Sequence, residues 1–309
     1  MIISASRRTD IPALHSEWFM NRIREGYAIT THHPNSGKSY KVPLMPDVVD
    51  CIVFRTKNPA PMIPHLDALA DYGLMFNITM NPYGREMEAN VPPLRQRVET
   101  FRELSRMVGP ERMVWRYDPL FLSPKYDLDF HRRAFEYLCR ELEGQAEKAM
   151  IGFIIHHPFV ARRIDSLGVK RRDDNDIRTI GAMFSGIASR HHIPLETCAE
   201  RVDLDEFGIR HGACIEKAHV EKIIGCRLEG CKDKYLRPNC NCVESVDIGH
   251  YSTCDNGCLY CYATSDLPNI NVDPRSPSLN PNFKLESLRP DSIVEMQCWS
   301  FKSKQRQLW

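Results

Sequence analysis

The first two thirds of the chain alternate between short apolar runs and longer segments with helical spacing of apolar residues. The apolar runs are continuous, which is typical of parallel strands that are buried on both faces. Strands joined by helices predict a parallel sheet, and six such repeats favour a full or partial (β/α) barrel over an open sheet. The predicted strands are 2–6, 49–56, 74–80, 112–117, 150–155 and 194–199, and the predicted helices are 16–25, 62–72, 93–108, 130–143 and 174–190.

The sequence changes character near residue 203, where glycine, cysteine and lysine become frequent and loops are predicted. After Ala263 the chain is rich in proline and asparagine, as in an extended tail. We therefore predict a barrel core over 1–202 and a cysteine-rich, cluster-binding region with a tail over 203–309. The two parts are expected to pack as one unit.

Composition narrows the functional classes without choosing among them. The 309 residues are 42% hydrophobic and carry a net charge of +1, so no overall field favours nucleic acid or an anionic membrane as partner. A nucleic-acid contact through a local basic groove stays open. The sequence contains neither a signal peptide nor an apolar stretch of membrane-spanning length, which predicts a cytoplasmic protein with no membrane partner.

Polar side chains follow the predicted strands where each strand ends. The carboxyl ends of parallel strands meet at one edge of a sheet, and this architecture builds its sites there. A ring of salt bridges that stabilises the rim would give the same pattern, but the set as a whole predicts a lined pocket. Its members are Arg7, Arg8, Arg55, Lys57, Thr79, Arg116 and Asp118.

Nine of the twelve cysteines lie between residues 198 and 261, a concentration that indicates metal binding when thiols are kept reduced. Cys254, Cys258 and Cys261 have C-x3-C-x2-C spacing in one short loop. Structural zinc usually takes two C-x2-C pairs, and this loop contains one. Three thiols in a tight loop suit a [4Fe–4S] cluster whose fourth iron takes a ligand from elsewhere.

The other cysteines of this region predict a second site. Cys198, Cys214, Cys240 and Cys242 could hold an auxiliary [4Fe–4S] cluster that relays electrons or binds substrate, with Cys231 as an alternative ligand. A structural zinc ion that holds the loop-rich region together is the alternative, and the spacing leaves both open.

The cysteine loop resembles the signature of the radical S-adenosylmethionine superfamily, including the aromatic Tyr260 before the last cysteine. The resemblance implies that S-adenosylmethionine binds the open iron through its amino and carboxylate groups. An electron from a donor such as flavodoxin or ferredoxin then breaks the sulfonium C–S bond, and the 5′-deoxyadenosyl radical takes a hydrogen atom from an unknown substrate. The backbone of Tyr260 would lie beside the adenine.

A closer resemblance covers essentially the whole chain. It is carried by MIISASRRTDIP (1–12), FRTKNP (54–59) and SVDIGHY (245–251) through CYA (261–263). These segments resemble an uncharacterised family of bacterial proteins with a C-terminal cysteine cluster like that of radical S-adenosylmethionine enzymes. This resemblance implies no particular substrate.

The position of the loop departs from the superfamily, in which the cysteines follow the first barrel strand. Here they follow all six predicted strands, which a circular permutation would explain because barrel termini are often close together. The permutation predicts that residues 247–251 form a strand beside residues 2–6. No Gly-Gly-Glu motif is available for the methionine amino group, so Arg7, Arg8, Thr79 and Arg116 are the candidate contacts, and Arg55, Lys57 and Asp118 are expected to hold cofactor and substrate.

Two other functions remain open at this point. One is a binding or scaffold protein whose cysteines hold structural zinc and which contacts nucleic acid. The other is an iron–sulfur electron carrier without S-adenosylmethionine chemistry.

Overall fold

The computed structural model describes residues 1–30, 38–158, 160–264, 271–284 and 293–296. A parallel sheet of eight strands forms its centre, in the order β10-β1-β4-β5-β6-β7-β8-β9, and β2, β3 and β11 form a separate small sheet. The strands are β1 (Ile2–Ala5), β2 (Tyr27–Thr30), β3 (Ser39–Pro43), β4 (Cys51–Thr56), β5 (Gly73–Thr79), β6 (Met113–Leu120), β7 (Lys148–Phe153), β8 (Leu195–Cys198), β9 (Arg210–Gly212), β10 (Val246–Asp247) and β11 (Ile293–Glu295).

Helices connect successive strands of the large sheet, which confirms the predicted α/β class and is consistent with a barrel-like fold. In the described part of the chain, no helix is long and apolar enough to cross a membrane. The α-helices are α1 (Ile11–Leu14), α2 (Ser16–Glu25), α3 (Leu94–Val108), α4 (Leu128–Leu142), α5 (Ala161–Asp165), α6 (Asp174–Arg190) and α7 (Lys217–Ile224).

Two predictions about local structure were wrong. Residues 62–72 were expected to form an α-helix, but Ala60–Leu69 forms a 3₁₀ helix with Pro64 inside it. Proline lacks the N–H that an α-helix requires at that position. The region after residue 203 was expected to be loops, yet it contains α7, which buries Val220 and Ile223. The helix ends at Ile224, and the Gly225 that follows it has a left-handed φ of 68°. Much of the predicted tail lies outside the described residues.

The two faces of the large sheet are covered differently. On one face, residues such as Ile3 and Trp115 share a hydrophobic core with Phe101 of α3 and Phe184 of α6. On the other face, residues such as Val53, Met75 and Val114 pack against a part of the cysteine-rich region, 213–243. The cysteine-rich region therefore covers one face of the sheet.

His131 of α4 is a buried, neutral histidine within the helix-covered core. Its Nε2 donates to the Phe121 carbonyl at 2.8 Å, so Nδ1 is left to accept from the Tyr117 hydroxyl at 2.7 Å. Burial lowers the pKa of His131 from 6.5 to about 4. A base with a lowered pKa in the folded state contributes stability above its unfolded pKa, and this contribution is lost as the pH falls.

We therefore expect a pH-dependent difference between the wild type and His131→Gln. As the pH falls from 6.5 to about 4, the stability advantage of the wild type should shrink by about 3 kcal/mol, because the unfolded wild type binds a proton that its folded state resists. Urea denaturation of both proteins across this range measures the difference. An advantage that stays constant would show that His131 titrates normally in the folded protein.

Candidate functional site

The strand that precedes the cysteine loop lies beside the N-terminal strand. β10 pairs with β1 in parallel, with Ser4 opposite Asp247. The buried Asp247 carboxylate accepts hydrogen bonds from the Ser6 hydroxyl at 2.6 Å and from the Arg7 backbone N–H at 2.7 Å. Burial acts to raise the pKa of Asp247, but the guanidinium groups of Arg8 and Arg7 outweigh it and lower the pKa. These contacts tie the loop to the carboxyl end of β1.

A second group of contacts joins the loop to the ends of β1 and β4. The buried Asp10 carboxylate accepts from the Asn256 amide at 2.9 Å and from the Lys57 backbone N–H at 2.8 Å. His15 Nε2 donates to the Thr253 carbonyl at 2.8 Å. Burial raises the pKa of Asp10. The start of the loop is therefore fixed at the carboxyl edge of the sheet.

Glu88 anchors the other side of the loop. The backbone of Glu88 pairs with that of Cys258 in an isolated β-bridge. The Glu88 carboxylate accepts hydrogen bonds from the Tyr260 hydroxyl and from Lys57 Nζ, the latter at 2.8 Å. Asn81 Nδ2 also donates to the Tyr260 hydroxyl, at 3.2 Å. Burial acts to raise the pKa of Glu88, but its cationic neighbours, Lys57 first, lower it. The side chains of Tyr260 and Lys57 thus position the loop itself.

The three loop thiols are partly buried. Burial, with Asp10 as a smaller cause, raises the pKa of Cys254 to about 12, and burial also raises the pKa of Cys258. Cys261 Sγ lies 3.7 Å from the Thr264 hydroxyl. Among the described residues, these three sulfurs do not form a group within 4.8 Å of one another. At least one pair of these sulfurs is therefore more than 4.8 Å apart.

A tighter group of thiols lies at the other side of the same edge. The sulfurs of Cys198, Cys240 and Cys242 lie within 4.8 Å of one another, close enough to hold a metal ion. Cys214 packs in the same buried cluster as Cys240 and Cys242, but its sulfur does not lie within 4.8 Å of all three. The structure thus brings three of the four cysteines predicted for a second site within 4.8 Å of one another and places the fourth, Cys214, in the same cluster. Cys231, the predicted alternative ligand, is exposed and lies outside the metal-binding group.

Apart from Lys57, which pairs with Glu88, the predicted rim residues divide into two sets. The strand registers put Arg55, Thr79 and Arg116 on the sheet face that the cysteine-rich region covers. Arg116 pairs with Asp118 and donates to Cys214 Sγ at 2.6 Å. Burial opposes the charge of Arg116, but the Cys214 and Asp118 groups outweigh it and raise the pKa well above its ordinary value. The other set, the N-terminal pair of arginines, contacts Asp247.

An eight-stranded parallel sheet flanked by helices, with cysteine groups at the carboxyl ends of its strands, defines an α/β protein with a site that could bind a metal ion. The chain belongs to the family described as Domain of unknown function (DUF1848), whose profile matches residues 2–263. Comparison with curated proteins gives no match. A solved structure titled endoglucanase covers 72% of this chain and 96% of its own, at 12% identity and a TM-score of 0.25, which is too low to carry an argument.

Proposed function

We propose that this protein is a radical S-adenosylmethionine enzyme on a circularly permuted, partial (β/α) barrel. The observation that carries the proposal is the parallel pairing of β10 with β1. A strand supplied near the C-terminus thereby becomes the outer neighbour of the first strand, and the cysteine loop follows it directly. In the superfamily that the loop resembles, the cysteines also follow a strand at this edge of the sheet.

The cysteine loop fits the proposed cluster in donor type and in spacing. Thiolates are the protein ligands of iron–sulfur clusters. Cys254, Cys258 and Cys261 would bind three different irons, and thiols on different irons stand farther apart than thiols on one ion. At least one pair of these sulfurs is more than 4.8 Å apart, as this use requires. When bound, the cluster with S-adenosylmethionine on its open iron supplies the electron that splits the C–S bond into methionine and a 5′-deoxyadenosyl radical.

The chain's own residues would then hold the loop and the cofactor. Lys57 and Glu88 keep the loop in place, and the two are 11% and 1% exposed at their side chains. Arg55 has a shielded Nε with no hydrogen-bond partner, and its neighbour on the same face is Arg116. A carboxylate such as that of methionine would satisfy the Nε of Arg55, and because a guanidinium has five N–H donors, its other N–H groups can serve a second anion. Arg7, Arg8, Thr79 and Asp118 complete the proposed contacts to cofactor and substrate.

Cleavage of S-adenosylmethionine by the anaerobically reconstituted protein tests the proposal. With dithionite, flavodoxin or ferredoxin as reductant, 5′-deoxyadenosine and methionine should form in equal amounts, with iron and sulfide quantified in parallel. A reducible cluster without this product would identify an electron carrier. A colourless protein that holds only zinc would identify a scaffold protein. If that zinc protein also retards nucleic acid in a gel shift, the scaffold binds nucleic acid. Because the proposed cluster needs a reducing compartment, we place the enzyme in the cytoplasm.

A further inference from the structure

The second cysteine group draws its four thiols from three separate segments. Cys198 ends β8, Cys214 follows β9, and Cys240 and Cys242 form a C-x-C pair. Cys214, Cys240 and Cys242 are buried, and Cys198 is partly buried. Thiols so far apart in sequence meet in the interior of this fold beside two arginines. Cysteines that only fill space in a core need not lie together, so this clustering indicates a shared bound group.

The spacing of these thiols distinguishes one metal ion from a cluster. A tetrahedral zinc ion with Zn–S bonds of about 2.3 Å places its sulfurs about 3.8 Å apart. The sulfurs of Cys198, Cys240 and Cys242 lie within 4.8 Å of one another, which suits one shared ion. Thiols on the separate irons of a cubane are held farther apart. Cys214 lies in the same buried cluster and is the candidate for the fourth ligand. We propose that Cys198, Cys214, Cys240 and Cys242 bind a single structural zinc ion.

The charges around the group agree with a zinc tetrathiolate. Four thiolates around Zn²⁺ leave two negative charges, and two guanidinium groups adjoin the sulfurs. Arg116 donates to Cys214 Sγ at 2.6 Å, and Arg55 lies beside Cys214 and Cys242. Within the described part of the chain, Arg55 forms no salt bridge with a carboxylate. Buried charges are normally paired, so an anionic centre gives Arg55 its counter-charge.

A backbone contact also matches a metal-bound thiolate. The Ile215 N–H points at Cys242 Sγ from 3.4 Å. Hydrogen bonds to ligand atoms orient them toward the metal and are a regular part of metal sites. The two donors are the Ile215 N–H, which follows β9, and the Arg116 guanidinium, which lies on β6. They hold the sulfurs from two sides.

The location of the ion gives it a structural role. It would join the end of β8 to the 213–243 segment, which covers one face of the sheet. Zinc has no redox chemistry, so this centre would not relay electrons. The region would instead depend on the metal for its folding, as small metal-bound segments do. The inference is independent of the proposed function, since a zinc site stabilises the fold whatever the Cys254 loop does.

Metal analysis of the full chain tests the inference. Anaerobically purified wild type, Cys231→Ala and Cys258→Ala should each hold about one zinc ion per chain, whereas Cys240→Ala and Cys242→Ala should lose it. Cys231→Ala is the matched control because that thiol is exposed and lies outside the group. Iron and sulfide that remain in Cys258→Ala but disappear in Cys242→Ala would overturn the proposal and establish an auxiliary cluster.

A second measurement covers the case in which the cysteine variants fail to fold. Wild type expressed with cobalt in place of zinc should show the intense sulfur-to-cobalt charge-transfer absorption and visible bands of tetrahedral tetrathiolate coordination. Octahedral cobalt spectra, or no bound cobalt, would overturn the site. Failure of this test leaves S-adenosylmethionine cleavage untouched, and failure of cleavage leaves the zinc content unchanged, so the two proposals fail separately.

Discussion

Alanine in place of Cys258 is expected to lower the rate of 5′-deoxyadenosine formation by more than about 100-fold, a loss of more than about 2.7 kcal/mol in transition-state stabilisation. Cys258 carries the central thiol of the loop, and its backbone pairs with that of Glu88 in a β-bridge. Without it, two thiols remain for a cluster that needs three. Anaerobic reconstitution followed by chromatography of the nucleoside product measures the effect, and the iron content should fall in parallel.

Cys231→Ala provides the comparison for this loss, because its thiol is exposed and belongs to neither proposed site. It should keep the wild-type iron content and rate. Product formation by Cys258→Ala at the wild-type rate would rule out the loop as the site of the chemistry. Equal losses in both variants would show a general sensitivity to cysteine replacement.

Replacing Glu88 with glutamine should lower the free energy of unfolding by about 3–5 kcal/mol, because it leaves two buried cations without their counter-charge. Lys57 Nζ lies 2.8 Å from one carboxylate oxygen, and Arg97 lies 3.9 Å from the other. Glutamine keeps the shape of the side chain and its hydrogen bond to the Tyr260 hydroxyl. The decrease in the free energy of unfolding therefore measures the effect of removing the negative charge. Urea denaturation of the metal-loaded protein measures it.

Glu86 offers a matched control two residues away. Its carboxylate is 42% exposed and pairs with Lys125, which is 64% exposed. Exposed pairs contribute little, so Glu86→Gln should change stability by less than about 1 kcal/mol. Equal effects of the two substitutions would show that the buried charges around Glu88 do not hold the loop.

The central sheet was predictable because each of its longer strands is a continuous apolar run between helical segments. The small sheet was not predicted, since β2 and β3 are short and interleave polar residues such as Thr30 and Lys41. α7 was not predicted from the sequence for a related reason. It lies among glycines, cysteines and lysines, and it is a helix because tertiary packing buries Val220 and Ile223 against the sheet.

The site was predictable only where its residues share a local pattern. The spacing of Cys254, Cys258 and Cys261 is visible in the sequence, and the polar ends of the strands marked Arg55 and Arg116. Asp10 and Glu88, which hold the loop, were not predicted as site residues. Glu88 gives no sequence signal, because it lies between predicted elements and acts through contacts with a loop 170 or so positions away.

β10 pairs with β1 in parallel, as the permutation hypothesis predicted, but the strand covers Val246–Asp247 and not the predicted 247–251. That hypothesis came from the unusual position of the cysteines and from the closeness of barrel termini. Neither local propensity nor apolar periodicity would have identified two residues as the strand that carries the site.

Electron paramagnetic resonance of the reduced protein, with and without S-adenosylmethionine, tests most directly whether the Cys254 loop holds a cluster with an open iron. Wild type and Cys231→Ala should both give the signal of a reduced [4Fe–4S] cluster, and S-adenosylmethionine should shift its g-values by binding the open iron. Cys258→Ala should give no such signal. A cluster signal that S-adenosylmethionine leaves unchanged, or one that survives in Cys258→Ala, would contradict the account.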